Sequence, residues 1–298
     1  MTRTPKKAFA QPFQMNRKQR SLWGDAWCRF LRNKMALLGL LIVCFFVFVA
    51  IFAPVIAPYK PLAIDMGNAF APPSPEHAFG TDELGRDTLS RIMHGARCDL
   101  GLTLLAVLLA VTTGLTAGTM AAFYGGALDT ILMRSVDVML AFPAFVIGLA
   151  LVAFLGPSLQ NVVFVLAITR FPRYARLIRG AVLSVKQREY ALAARAVGVS
   201  NGAIIIRHIL PNSIAPIIVF SSLDLGTVIT ALAGLSFLGV GIQPPTPDWG
   251  LMLTSARNNL FIAPWTAIFP GVAISLVVVG INFLGDGLRD ALDPRLVE

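Results

Sequence analysis

The chain has 298 residues, of which 56% are hydrophobic and only 14% charged, and its mean hydropathy is +0.71. Length alone would suggest two soluble domains, but a soluble chain of this size is about a quarter charged, so soluble globular and disordered readings are excluded. The net charge of +9 comes from 25 Lys+Arg against 16 Asp+Glu; on so apolar a chain such an excess sets orientation in a bilayer, and nucleic acid is not an expected partner.

A span needs about 20 mostly apolar residues. The long charge-free stretches predict an all-α polytopic membrane protein with about six transmembrane helices, near 35–57, 98–123, 139–156, 159–180, 213–239 and 266–285. The fourth carries Arg170, Arg173 and Arg176 in its second half, so its upper part spans and its lower part emerges at a basic surface. Runs such as LGLLIVCFFVFVAIF do not alternate, which argues against a β-barrel. The first span has a basic region and an apolar run too long for a cleaved signal peptide and is expected to be retained.

Residues 1–34 form the N-terminal segment, with Trp23, Trp27, Phe30 and Leu31 spaced for a short amphipathic helix lying on the inner leaflet. Residues 58–97 form a loop whose Pro58, Pro61, Pro72, Pro73 and Pro75 forbid a continuous helix. Asp87 is a candidate N-cap for a short helix there. The acidic run Asp82-Glu83…Asp87 lacks the alternating spacing of a calcium loop. The membrane core is expected over 98–288, and 289–298 is a short tail. Trp249 and Trp265, in the segment 240–265, suit the headgroup level.

Lys/Arg counts place both termini and the segment 170–207 in the cytoplasm, because that assignment collects 20 of the 25 basic residues on one side. Asp224 is the only acid well inside a predicted span. It is a candidate for lining a translocation pathway through the membrane, or else a structural hydrogen-bonding group. His77 and His94 fall on one side and His208 on the other, and the three cysteines are scattered. No metal site, disulfide, cofactor site or catalytic centre is therefore expected. There is no GxxxxGK[ST] loop, so the chain binds no ATP itself.

The segment 183–212 reads LSVKQREYALAARAVGVSNGAIIIRHILPN. It has helical character to Val197. Gly198 then supplies the left-handed turn that ends a helix, and Ser200 can cap a second helix. Pro211 is expected to close that second helix. Small Ala191, Ala193 and Ala194 would let another backbone approach. The residues alone leave two readings open: a basic loop, or a lever that docks in a groove of a soluble motor.

This segment resembles the cytoplasmic coupling loop of ABC-importer permeases, whose pattern is Glu-Ala-Ala, three residues, Gly, nine residues, Ile-x-Leu-Pro. Ala193, Ala194, Gly198, Leu210 and Pro211 match. Leu192 stands at the Glu position and His208 at the Ile position, with Glu189 one turn earlier as a candidate stand-in. FGTDELGRDTLSRIMHGAR (79–97), LSFLGVGIQPPTPDWGLML (235–253) and LGDGLRDALDPR (284–295) resemble blocks of the C-type subunit of dipeptide/oligopeptide permeases.

The resemblance implies an ABC type I importer permease fold in the bacterial inner membrane. It implies a homologous second permease, two ATPase subunits and an extracytoplasmic substrate-binding protein as partners. The chain would form half of the pathway for dipeptides or oligopeptides and couple to the ATPases through 186–210. Glu189, Tyr190, Leu192, Ala193, Ala194, Gly198, His208, Leu210 and Pro211 would carry that coupling. Related permeases carry glutathione, nickel or other small solutes. The alternatives from other classes are an intramembrane hydrolase or metal-dependent enzyme, for which only Asp224 is available within a span, and a channel or stand-alone secondary transporter.

Overall fold

The computed structural model describes residues 22–292. Helix α1 (Leu22–Arg32) turns at Asn33 into α2 (Lys34–Ile56). The Asn33 side chain accepts from the backbone N–H of Met35 and Ala36, which fixes the start of α2. Trp27 and Leu31 of α1 are exposed. Phe30 is buried against the end of the last helix, α11 (Trp265–Leu292), beside Ala291. One face of the expected amphipathic helix is thus held by protein.

The proline-rich stretch after α2 contains only a single 3₁₀ turn, Met66–Asn68. Helix α3 (Thr88–Tyr124) follows. Asp87 caps it, accepting from Ser90 N–H at 2.8 Å. The short helix expected there is the first part of a continuous helix of 37 residues, about 55 Å long at 1.5 Å per residue. With no proline inside it, nothing interrupts it before Gly125.

The third predicted span is a correction. Its residues belong to a broken pair, α4 (Gly126–Leu140) and α5 (Ala144–Leu155), bent by 89°. Pro143 heads α5 and has no N–H to continue α4. Gly156-Pro157 then breaks the chain as predicted, and α6 (Leu159–Lys186) follows.

Among the described residues four helical stretches are long and apolar enough to cross a bilayer, namely α2, α3, Asn201–Phe237 and α11, or five if the bent pair counts as one span. The predicted fourth span lies in α6 and falls short of that criterion. The difference is its basic half, Arg170 to Lys186. Among the described residues the only β-type pairing is an isolated bridge between Thr81 and Asp87.

Packing is built on small residues. Gly114 and Gly118 bring α3 onto Tyr174, Ala175 and Ile178 of α6, where a Cβ would lie 2.5–2.6 Å from α6 atoms. Gly39 of α2 meets Gly280 of α11 just as closely. Helix α9 (Leu210–Phe237) lies against α3, α6 and α11. One apolar core joins α3, α6 and α9 through Val107, Leu166, Ile178 and Leu232. A second joins α2, α9 and α11 through Phe46, Ile229, Val277 and Ile281. Leu41, Phe45, Phe48, Ile51 and Val55 of α2 stay exposed. Such an apolar outer stripe suits lipid rather than water.

Candidate functional site

The segment between α6 and α9 folds as predicted up to a point. Helix α7 (Glu189–Ala196) ends at Gly198, with φ +80°. Val199 N–H reaches back to Ala194 C=O and Gly198 N–H to Arg195 C=O, which satisfies carbonyls at the helix end. Ser200 precedes α8 (Asn201–Ile204), although its side chain makes no cap bond.

Pro211 does not close this helix, which is a second correction. Helix runs on through a wide turn over Ile205–Ile209 directly into α9, with Leu210 N–H bonded to Ile205 C=O. Such a π-type turn shifts the bonding pattern just ahead of Pro211, which has no N–H to offer.

The residues for which the sequence resemblance implies coupling divide by exposure. Tyr190, Leu192 and Val197 are 44%, 53% and 79% exposed, and Ile206 is 67% exposed. Glu189, Ala193 and Pro211 are also exposed, whereas His208 and Leu210 are half-buried. Ala191 and Ala194 are buried against the chain itself, so of the three alanines only Ala193 faces outward. Arg188, Arg195 and Arg207 of the same segment are exposed as well. Ile206 was not among the residues named from the sequence.

Three further residues support this segment. Lys186 Nζ donates to Ala122 C=O and Phe123 C=O, at 3.0 and 2.7 Å, at the end of α3. The Phe123 ring is buried, with the Lys186 ammonium 5.6 Å and the Arg195 guanidinium 5.7 Å from its centre. Both cations face an aromatic ring, a favourable arrangement.

Asp224 is buried on α9 and faces Arg170 on α6 at 3.5 Å. Thr227 Oγ1 donates to Asp224 Oδ1, and Arg170 donates to Thr227 C=O. The sequence reading located the acid but not its cationic partner. That pairing depends on how α6 and α9 pack, which local spacing does not reveal.

At the opposite end of α3, Trp249 opens α10 (Trp249–Ala256) and is fully buried in protein rather than half wet. Its indole N–H donates to Ile92 C=O and its backbone N–H to Asp99 Oδ2. Asp248 caps α10, accepting from Leu251 N–H at 2.6 Å. The buried carboxyls of Asp99 and Asp248 are electrostatic neighbours, and Asp99 Oδ1 and Asp248 Oδ2 make no hydrogen bond. Burial pushes the Asp248 carboxyl above its ordinary range. Trp265 does sit half-buried and donates to Thr81 C=O.

In the adjoining loop, Asp82 serves Arg86 and the backbone N–H groups of Leu84 and Arg86. Among the described residues no three His, Cys, Asp or Glu side chains gather as a metal site.

These features define a polytopic helical membrane protein with a solvent-facing helical elbow between two of its core helices. Residues 114–298 match the family described as binding-protein-dependent transport system inner membrane component, and residues 21–73 match the N-terminal transmembrane domain of oligopeptide transport permease C. The chain belongs to this permease family. It is 47% identical to the dipeptide transport system permease protein DppC of Alkalihalophilus pseudofirmus, over 93% of this chain and 91% of the relative. It is 44% identical to the glutathione transport system permease protein GsiD of Escherichia coli, over 96% of this chain and 95% of the relative. The fold is that of a chain in the inward-facing MetNI methionine ABC transporter. The TM-score is 0.56 at 18% identity, covering 67% of this chain and 96% of that one.

Proposed function

We propose that this chain is one of two homologous permease subunits of an ATP-driven importer for dipeptides or oligopeptides. It forms half of the translocation pathway. Two ATPase subunits dock on the 186–210 elbow from the cytoplasm, and a substrate-binding protein delivers the peptide to the opposite face. Both termini are cytoplasmic, as the Lys/Arg distribution requires.

The observation that carries this reading is the exposure of the apolar side chains Tyr190, Leu192 and Val197 on a charged segment ahead of the apolar stretch Asn201–Phe237. Exposed apolar side chains grouped among charges mark a protein-binding surface. Leu192, at the position where the coupling motif has Glu, enlarges that apolar patch. ATP-driven closure of the ATPases would press on the elbow and shift the permease between two states, a population shift driven by a ligand on a partner.

For Asp224 the Arg170 pairing favours a brace between α6 and α9 over a direct contact with substrate. The likeness to GsiD supports glutathione, itself a small peptide, as a second cargo reading.

The test is a photo-crosslinking amino acid at position 192. Cross-linking to a co-expressed ATPase subunit supports the reading, and an assembled transporter with no such product removes it. Competition between labelled dialanine and glutathione for uptake then separates the two cargoes.

A further inference from the structure

The elbow and the Trp249 segment lie at opposite ends of the same helix, and both are fastened to it. We infer that α3 is the transmission rod that carries motion from the ATPase-docking elbow to α10 on the binding-protein side, with Phe123 as its foot and Trp249 as its head contact. This inference rests on the docking reading above and adds to it the route taken by the motion.

The foot is fixed by two kinds of contact. The last carbonyls of any helix lack intrahelical donors. Here Ala122 and Phe123 C=O receive the Lys186 ammonium, from the residue that ends α6 immediately before the elbow. Phe123 shares one buried apolar cluster with Ala194 of α7 and with Ile204 and Ile209 beyond the glycine turn, and it lines a small cavity with Leu192 and Arg195 of α7. A displacement of α7 or of the turn therefore changes the packing around Phe123. Packed interiors resist voids and shift in discrete steps.

The shaft is unbroken. Helix α3 has 37 residues, with no proline. Gly114 and Gly118 seat it directly on the α6 backbone. Sliding α3 alone along α6 would drive those backbones together, so the two helices move as a block.

The head is fixed as firmly. Gly95 lets the Trp249 indole lie against the helix, where a Cβ would come within 2.8 Å of the ring. The indole N–H and the backbone N–H of Trp249 both donate to α3, at Ile92 C=O and Asp99 Oδ2. Trp249 is the first residue of α10, and α10 leads through a 3₁₀ turn to the exposed Leu260, Phe261 and Ile262. A shift of about 1–2 Å in α3, typical of switching helices, is thus delivered to that exposed segment.

The test uses the assembled transporter in lipid nanodiscs. Cys28, Cys44 and Cys98 are replaced by alanine, and Leu260→Cys carries an environment-sensitive fluorophore. Trapping the ATPases with ATP and vanadate should change the fluorescence of the otherwise unaltered chain. Phe123→Ala should cut the amplitude at least about fivefold, the lower end of usual coupling between sites, while the position-192 cross-link to the ATPase persists. Should Phe123→Ala fail to assemble, Lys186→Met carries the same expectation, because it removes both carbonyl contacts and keeps most of the side-chain bulk.

A full-sized change in either assembled variant overturns the rod. So does no change in the chain that keeps Phe123 and Lys186, given an intact cross-link. Loss of the cross-link in that chain instead overturns the docking reading beneath it.

Discussion

Arg170 on α6 meets Asp224 on α9 at 3.5 Å, and both side chains are buried. These two helices enter and leave the elbow, so the pair ties together the two arms of one hairpin. Removing one member leaves an unpaired buried charge, which costs about 3–5 kcal/mol, whereas replacing both by apolar groups is often neutral. Arg170→Met should therefore lower the thermal midpoint of the purified chain sharply, and Arg170→Met with Asp224→Leu should recover most of the loss. Equal losses in the single and double variants would show that the charges do not act as a pair. Asp224→Asn adds a check on the brace, which predicts that uptake and abundance fall together. A fall in uptake with abundance preserved would restore the substrate contact.

Gly198 has φ +80°, and a Cβ there would meet nothing within 4 Å. The constraint is conformational rather than spatial. The left-handed region costs an ordinary L-residue about 1–2 kcal/mol, and a β-branched side chain more, whereas Asn visits it readily. Gly198→Val should therefore cut peptide uptake about tenfold, the change that 1.4 kcal/mol makes in a docking equilibrium. The spans should still assemble. Gly198→Asn should transport almost normally. Equal uptake by both variants would remove the turn from the coupling mechanism.

Local chemistry made several features readable from the sequence. Asp87 and Gly198 announce a helix start and a helix stop because capping and positive φ depend on one residue and its immediate neighbours. Gly156-Pro157 announced the break before α6 in the same way. Features set by distant packing were not readable. Trp249 was expected at the headgroup level because hydropathy cannot tell an interfacial indole from one buried on Gly95. Arg170 was recognised as a charge near the end of a span, but not as the partner of a residue on another helix. Phe123 and Lys186 drew no attention, since a span-end aromatic and a loop-start lysine are individually ordinary. The bend between α4 and α5 was lost because the apolar pattern continues across Pro143.

Gly118 of α3 rests on the α6 backbone, and a Cβ there would lie 2.6 Å from Ala175 O. Backbone cannot rotate away as a side chain can. Gly118→Ala should destabilise by about 1–3 kcal/mol, the usual cost of overpacking. Gly101 lies on the same helix with nothing within 4 Å. Gly101→Ala should instead be neutral or stabilising, by up to about 1 kcal/mol from helix propensity. Thermal unfolding of both variants, followed by tryptophan fluorescence, measures the contrast. A harmless Gly118→Ala would mean that the α3–α6 seam is looser than its geometry.

Asp248 holds its proton more tightly in the folded chain than in the unfolded one, because burial penalises its charge. Asp99 and Cys98 of α3 are the titratable groups facing it, and Ser236 of α9 is its polar neighbour. The sign follows from proton linkage. Between the unfolded carboxyl pKa near ~4 and the raised folded value, the folded state binds more protons, so stability falls as pH rises through that window. Asp248→Asn should lessen this slope, with Asp99 left as a buried carboxyl beside it. The new amide oxygen can still accept from Leu251 N–H as the cap of α10. Across a pH series spanning the window, thermal midpoints of the purified chain should decline more steeply with Asp248 present than in the Asp248→Asn variant. An unchanged slope in the variant would place the pH dependence on other groups and leave Asp248 as a helix cap alone.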